Sequence, residues 1–167
     1  NYSKAMAFEH YIYSAGKRLR CGYTTGTCAA LASAGAAALL LSGEAPRTLS
    51  LTTPKGFAVE LAPAWCRMEG AAALCAVRKD AGDDPDVTDG LLIAARAERA
   101  GGEGIQIDGG PGVGRVTRPG LEQPVGAAAI NRVPREMIAE AVQTVCRTLD
   151  YPGGLKITIL VPDGAEL

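Results

Sequence analysis

Residues 24–44, TTGTCAALASAGAAALLLSGE, carry alanine and leucine round almost the whole circumference of any helix they could form. Alanine and leucine favour the helix. A threonine at the start can accept a hydrogen bond from the free N–H groups of the first turn, and Gly43 is placed as the residue after the last turn. A helix that is apolar on every side must be enclosed by other elements. The chain is therefore expected to wrap the rest of its structure around this segment.

The downstream residues supply the wrapping. In TLSLTTPKGFAVELAP, Leu49 and Leu51 alternate with polar residues, as do Val59 and Leu61 beyond Pro54-Lys55-Gly56. This pattern predicts a β-hairpin. AAALCAVRK reads as a third strand, and GLLIAARAERA and GIQID as two more around Gly101-Gly102-Glu103-Gly104. PREMIAEAVQTVCRTLD predicts a second helix, with Pro134 at its first position and Met137, Ile138, Ala141, Val142, Val145 and Leu149 on one face. Pro152-Gly153-Gly154 is expected to end it, and LKITILVP reads as a last strand. Residues 1–18 are expected to hold one or two amphipathic helical turns ending at Gly16. The order α-β-β-β-β-β-α-β predicts an α+β class, one mixed β-sheet covered by two main helices. It lacks the alternation of a dinucleotide-binding fold.

Charge and cysteine usage narrow the function. Lys plus Arg number 17 against 18 Asp plus Glu, so the clustered positive charge of a nucleic-acid or membrane-surface partner is missing. No apolar run approaches the roughly 20 residues of a bilayer span. The five cysteines, Cys21, Cys28, Cys66, Cys75 and Cys146, contain no C-x-x-C pair and read as small buried hydrophobes in a reducing cytoplasm. His10 is the single histidine, so no histidine-based metal site or triad is expected.

Several stretches carry possible chemistry. KDAGDDPDVTDG, residues 79–90, places Asp80, Asp83, Asp84, Asp86 and Asp89 beside Lys79. Their spacing is not that of a calcium loop, so they read either as a turn satisfying its own N–H groups or as carboxylates held for proton transfer. GGPGVGRVTRPGL offers Gly109, Gly110, Gly112 and Gly114 as a backbone nest for an anion, with Arg115 and Arg118 able to pair with a carboxylate or phosphate; an ordinary glycine turn is the alternative. In NRVPRE, Asn131, Arg132 and Arg135 stand at the start of the second helix, where the helix dipole also favours anions. Thr24 and Thr25 occupy the equivalent place on the first.

LRCGYTTGTCAALA (19–32), VRKDAGDDPDVTDG (77–90), GGPGVGRVTRPGL (109–121), AINRVPREMI (129–138) and ITILVPDGAEL (157–167) occur in this order. Together they closely resemble the N-terminal part of the CbiD family, the cobalt-precorrin-5B C1-methyltransferases of anaerobic cobalamin biosynthesis. The resemblance covers residues 17–167 and leaves 1–16 as an N-terminal extension. It implies a fold like domain 2 of ribosomal protein S5 and a chain that is the first lobe of a longer enzyme, whose second lobe is Rossmann-like. It also implies S-adenosylmethionine as methyl donor, no protein-bound metal, and a cobalt-containing tetrapyrrole as substrate.

On that basis Asp80, Asp83, Asp84, Asp86 and Lys79 are expected at the reaction centre. Gly109, Gly110, Gly112 and Gly114, with Arg115, Arg118, Arg132 and Arg135, would receive substrate carboxylates, while Thr24, Thr25 and Asn131 hydrogen-bond a ligand. Two other readings stay open: a non-enzymatic anion- or partner-binding domain, and a small-molecule kinase. The second is the poorer fit, since GGPGVGRVT lacks serines and an immediate helix.

Overall fold

The computed structural model describes residues 11–14, 17–20, 25–54, 56–79, 92–110, 113, 130 and 132–162, the first two segments as backbone only. Strands β1 (Tyr11–Ser14) and β2 (Lys17–Arg20) form an antiparallel pair. Helix α1 (Thr25–Ser42) comes next, then β3 (Leu49–Thr52), β4 (Ala58–Leu61), β5 (Trp65–Glu69), β6 (Ala72–Arg78), β7 (Leu92–Ala100) and β8 (Ile105–Gly109). Helix α2 (Arg132–Thr148) and β9 (Gly154–Leu160) complete the order. Five strands make a mixed sheet in the order β5-β6-β7-β9-β8, in which only β8–β9 is parallel. The α+β class expected from the sequence is the class observed.

Helix α1 is the element everything else encloses. Two-thirds of it is buried, although its length and composition alone would suit a membrane span. Its neighbours are β6 and β7 on one side, with α2 and β3 around the rest. Small side chains make this closeness possible. Ala29, Ala30, Ala32, Ala36 and Ala37 are buried along it, and the buried Ser33 hydroxyl donates to the Ala29 carbonyl at 2.7 Å. At Gly35 even a methyl group would stand 2.5 Å from Cys75 Sγ and 3.0 Å from a Leu49 methyl. The helix ends as expected: Gly43 takes φ 80° and its N–H donates to the Leu39 carbonyl.

The sheet presents two unlike faces. Ala73, Cys75, Val77, Ile93, Ala95, Ala97, Leu155, Ile157 and Ile159 join the cluster under the helices. Facing away, Arg67, Leu74, Arg96, Thr158 and Asp108 fall on one row across all five strands. Arg67 packs on the Trp65 ring, and Arg96 lies 3.5 Å from Glu98.

Four local expectations change. The N-terminal segment expected to be helical is the β1–β2 pair; Tyr11, Ile12 and Tyr13 are strand-favouring residues, and this outweighs the short amphipathic signal. β5 was not anticipated: Arg67 and Glu69 on its outer face leave little apolar pattern to read. Pro134 occupies the third helical position, not the first, because α2 starts at Arg132; anywhere in that turn its missing N–H costs no helical bond. α2 also stops before Pro152. Asp150 adopts φ 56° while Tyr151 N–H donates to the Cys146 carbonyl and Asp150 N–H to that of Arg147, the paired bonds of a left-handed helix stop. Leu149 consequently lies beyond the helix and is exposed, and the buried face is Ile138, Val142 and Cys146.

Replacing Gly35 with alanine sets a gain in helix propensity against a clash with the sheet. Overpacking of this size costs about 1–3 kcal/mol and the propensity gain is about 1 kcal/mol. Gly35→Ala is expected to lower the urea midpoint, and adding Cys75→Ala to recover part of the loss. A midpoint unchanged or raised in Gly35→Ala would show that the helix does not lie this close.

Candidate functional site

The connections at the two ends of the sheet differ in length. At one end the turns are short: residues 70–71 between β5 and β6, 101–104 between β7 and β8, and 149–153 between α2 and β9. At the other end residues 79–91 join β6 to β7, and 110–131 run from β8 to α2. The register places the ends of these long segments side by side. Arg78 pairs with Leu92, Ala94 with Leu160, and Ile159 with Gly109. The acidic segment and the glycine-arginine segment, distant in sequence, therefore leave the sheet at the same edge.

Both helices bring their N-termini to this region. Gly26, in the first turn of α1, is so close to Pro134, in the first turn of α2, that an added methyl would meet the proline ring at 3.3 Å. Arg135 secures the second tip: Nε donates to the Ile130 carbonyl at 2.6 Å and Nη1 to the Ile107 carbonyl of β8 at 3.3 Å. Two helix starts near the C-terminal ends of β8 and β9 concentrate partial positive charge there.

The predicted site residues divide into three groups. Thr25 is exposed at the first position of α1, Arg132 is exposed at the first position of α2, and half-buried Lys79 directly follows β6. Gly109, Gly110 and Arg135 are present at the same end, but their local bonding differs from the expected anion cradle. Gly109 N–H donates to Asp108 Oδ1 and Gly110 N–H to the Ile159 carbonyl, both at 2.8 Å. A nest needs N–H groups free to point at the anion, whereas the neighbouring Asp108 carboxylate takes the Gly109 N–H and the Gly110 N–H holds the chain against β9. Gly110 also lies close to β9: an added methyl would stand 2.5 Å from Leu160 Cδ2 and 3.0 Å from Thr158 Cγ2, so those side chains would have to shift. The Arg135 bonds to main-chain carbonyls likewise serve to fix α2. The third group, Asp80, Asp83, Asp84, Asp86, Thr24, Gly112, Gly114, Arg115, Arg118 and Asn131, lies outside the described residues.

Sequence reasoning passed over Asp108. Its carboxylate is half-buried at the end of β8, accepts the Gly109 N–H and pairs in register with Thr158. The signal was present as an aspartate directly before a glycine pair. Among the described residues no three His, Cys, Asp or Glu side chains gather as metal ligands.

Arg135 supplies a direct test of this positioning. Arg135→Ala strands two carbonyls and is expected to destabilise the fold by about 1–3 kcal/mol. Arg135→Lys should not restore it, because an ammonium cannot reach both acceptors as the planar fork does. Urea unfolding of the two variants measures this; unchanged stability in Arg135→Ala would leave the residue available for an anion.

Comparison with known proteins gives a consistent result. A family model, CbiD, matches residues 12–167, starting five residues before the expected boundary and so taking in most of β1. The chain is 46% identical to a cobalt-precorrin-5B C(1)-methyltransferase of Ruminiclostridium cellulolyticum over 95% of its length and 41% of the relative's. The same named protein of Geobacillus kaustophilus is 49% identical, covering 90% of this chain and 41% of the relative. The crystal structure of the cobalamin biosynthesis protein CbiD from Archaeoglobus fulgidus matches with a TM-score of 0.61 and 32% identity, over 93% of this chain and 48% of that one. The chain thus spans less than half the length of these relatives. With the family match extending over nearly all of the sequence, the chain belongs to the CbiD family.

Proposed function

We propose that this chain is the N-terminal α+β lobe, with a layout like domain 2 of ribosomal protein S5, of a longer cytoplasmic enzyme. That enzyme methylates C1 of cobalt-precorrin-5B in anaerobic cobalamin biosynthesis and carries a Rossmann-like second lobe. Family membership and the names of the relatives support the reaction. The observation that carries the location is the convergence of two helix tips and two long segments at one edge of the sheet.

The chemistry divides according to charge. A tetrapyrrole substrate bears carboxylate arms, which suit helix N-termini and guanidinium groups. Arg132 at the tip of α2, with Arg115 and Arg118, receives those arms, and Thr25, with Thr24 and Asn131, hydrogen-bonds beside them. S-adenosylmethionine, when bound, supplies the methyl group as a sulfonium electrophile. A cationic sulfonium is a poor match for helix tips and a good one for carboxylates, so the donor belongs on the side of Asp80, Asp83, Asp84 and Asp86. There the carboxylates balance positive charge or accept a proton from the macrocycle, and Lys79, fixed at the end of β6, limits repulsion among them. Gly109, Gly110 and Arg135 contribute indirectly: they hold the backbone from which the binding segments depart. Positioning of the two reactants accounts for most of the rate in such a displacement.

The test uses a protein of the relatives' full length. Asp83→Ala or Asp84→Ala is expected to slow methyl transfer by about 10²-fold or more if the residue accepts a proton, with the circular dichroism spectrum unchanged. Arg118→Ala should weaken corrinoid binding measured by titration while leaving S-adenosylmethionine binding intact. Wild-type turnover in both aspartate variants would remove the acidic segment from the reaction. An intact protein that binds neither ligand would favour the non-enzymatic anion-binding reading.

A further inference from the structure

Two cysteines that play no part in the proposed reaction face each other in the core. Cys66 on β5 and Cys75 on β6 are direct partners in the antiparallel register, and their sulfurs are 3.0 Å apart. Both are reduced. They lie under α1, where Gly35 approaches Cys75 Sγ so closely that the helix forms a wall behind it. Cys75 is fully buried, while Cys66, on an edge strand, is partly accessible. We propose that Cys66 and Cys75 form a reversible dithiol–disulfide site, oxidised by low-molecular-weight disulfides.

Geometry makes the exchange accessible in one order. The sulfur of Cys66, the partly accessible residue of the pair, attacks the small disulfide, forming a mixed disulfide and releasing one small thiol. Cys75, already in contact, then attacks Cys66 Sγ; the new S–S bond forms as the second small thiol departs with the proton lost from Cys75. Overall the protein gives up two electrons and two protons, and one small disulfide becomes two thiols.

Closing the gap from 3.0 Å to the ~2.05 Å of a disulfide is a movement shared between two side chains that already face each other. The paired strands therefore keep their register. Burial, and next the neighbouring Cys66 thiol, push the Cys75 thiol well above the ordinary cysteine value, which slows attack by Cys75 on any outside reagent and leaves Cys66 as the point of entry. Once formed, the bond fastens the edge strand β5 to β6, the strand that leads directly into Lys79.

The experiment exposes the folded, reduced protein to oxidised glutathione and counts thiols after denaturation. Five react before treatment, the full cysteine complement, and three are expected after it. Trypsin cuts after Arg67 and Arg78, so peptides 56–67 and 68–78 should emerge joined and lighter by two hydrogens, and dithiothreitol should separate them. Cys66→Ser, a mild change at a partly exposed position, should keep its remaining thiols free under the same treatment. Oxidation that stops at glutathione on Cys66, or that joins a different pair of peptides, would overturn the proposal. The peptide readout uses the unsubstituted protein, so it decides the matter even if a variant folds poorly. It is also independent of methyl transfer, so its failure would leave the proposed function untouched.

Discussion

The contact between Gly35 and Cys75 sets the distance at which α1 rests on the sheet, and the rest of the domain is arranged around that distance. A helix enclosed on all sides can be covered by elements this small only if it is thin. Alanine and glycine make it so, and dispersion contacts with Cys75, Leu49 and the α2 face replace the side-chain bulk it lacks. Larger residues would separate α1 from β6 and push α2 and the β3–β4 hairpin outward with it. The scarcity of aromatics, 5% of the sequence, has the same geometric origin: there is little space between these layers for a large ring.

This close packing also brings the helix tips together. Gly26 lies against Pro134, and the first turn of α2 is joined to β8 by Arg135. Neither contact involves a group suited to methyl transfer. Their effect is to make one edge of the sheet a fixed frame, with the donors of two first turns nearby and the ends of residues 79–91 and 110–131 beside each other. Binding groups are commonly carried on connections held by a rigid scaffold, and here Gly26, Pro134 and Arg135 help to hold that scaffold together.

Periodicity made much of this fold readable, and contacts made the remainder unreadable. Leu49, Leu51, Val59 and Leu61 announced their hairpin, and the Gly43 stop was correctly placed, because each depends on local chemistry. β5 was invisible since Arg67 and Glu69 occupy its outer face and only Cys66 and Met68 point inward. That β9 would insert between β7 and β8 could not be seen either: Gly101–Gly104 resembles a hairpin turn, and the close fit of Gly154 against the Gly102 and Gly104 carbonyls appears only in the fold. For the site, the sequence singled out Gly109, Gly110 and Arg135 as an anion cradle, and the bonds they make in the structure go to Asp108, Ile159, Ile130 and Ile107. Glycine pairs and arginines look alike on paper whether they receive an anion or hold a strand, and the difference lies in where their N–H groups point.

Glycine is used in different ways at the two ends of the sheet. At the end with short turns, Gly70, Gly102 and Gly104 take φ between 62° and 89°, Asp150 takes 56°, and Tyr151 donates its hydroxyl to the Gly154 carbonyl. These residues use their conformational freedom to close tight turns. At the other end Gly26 and Gly110 need no unusual φ; what they need is room, and each allows one backbone to approach another element. Under the proposed function a large tetrapyrrole and a separate methyl donor are held at once, and such a division lets them be accommodated without disturbing the core that aligns them.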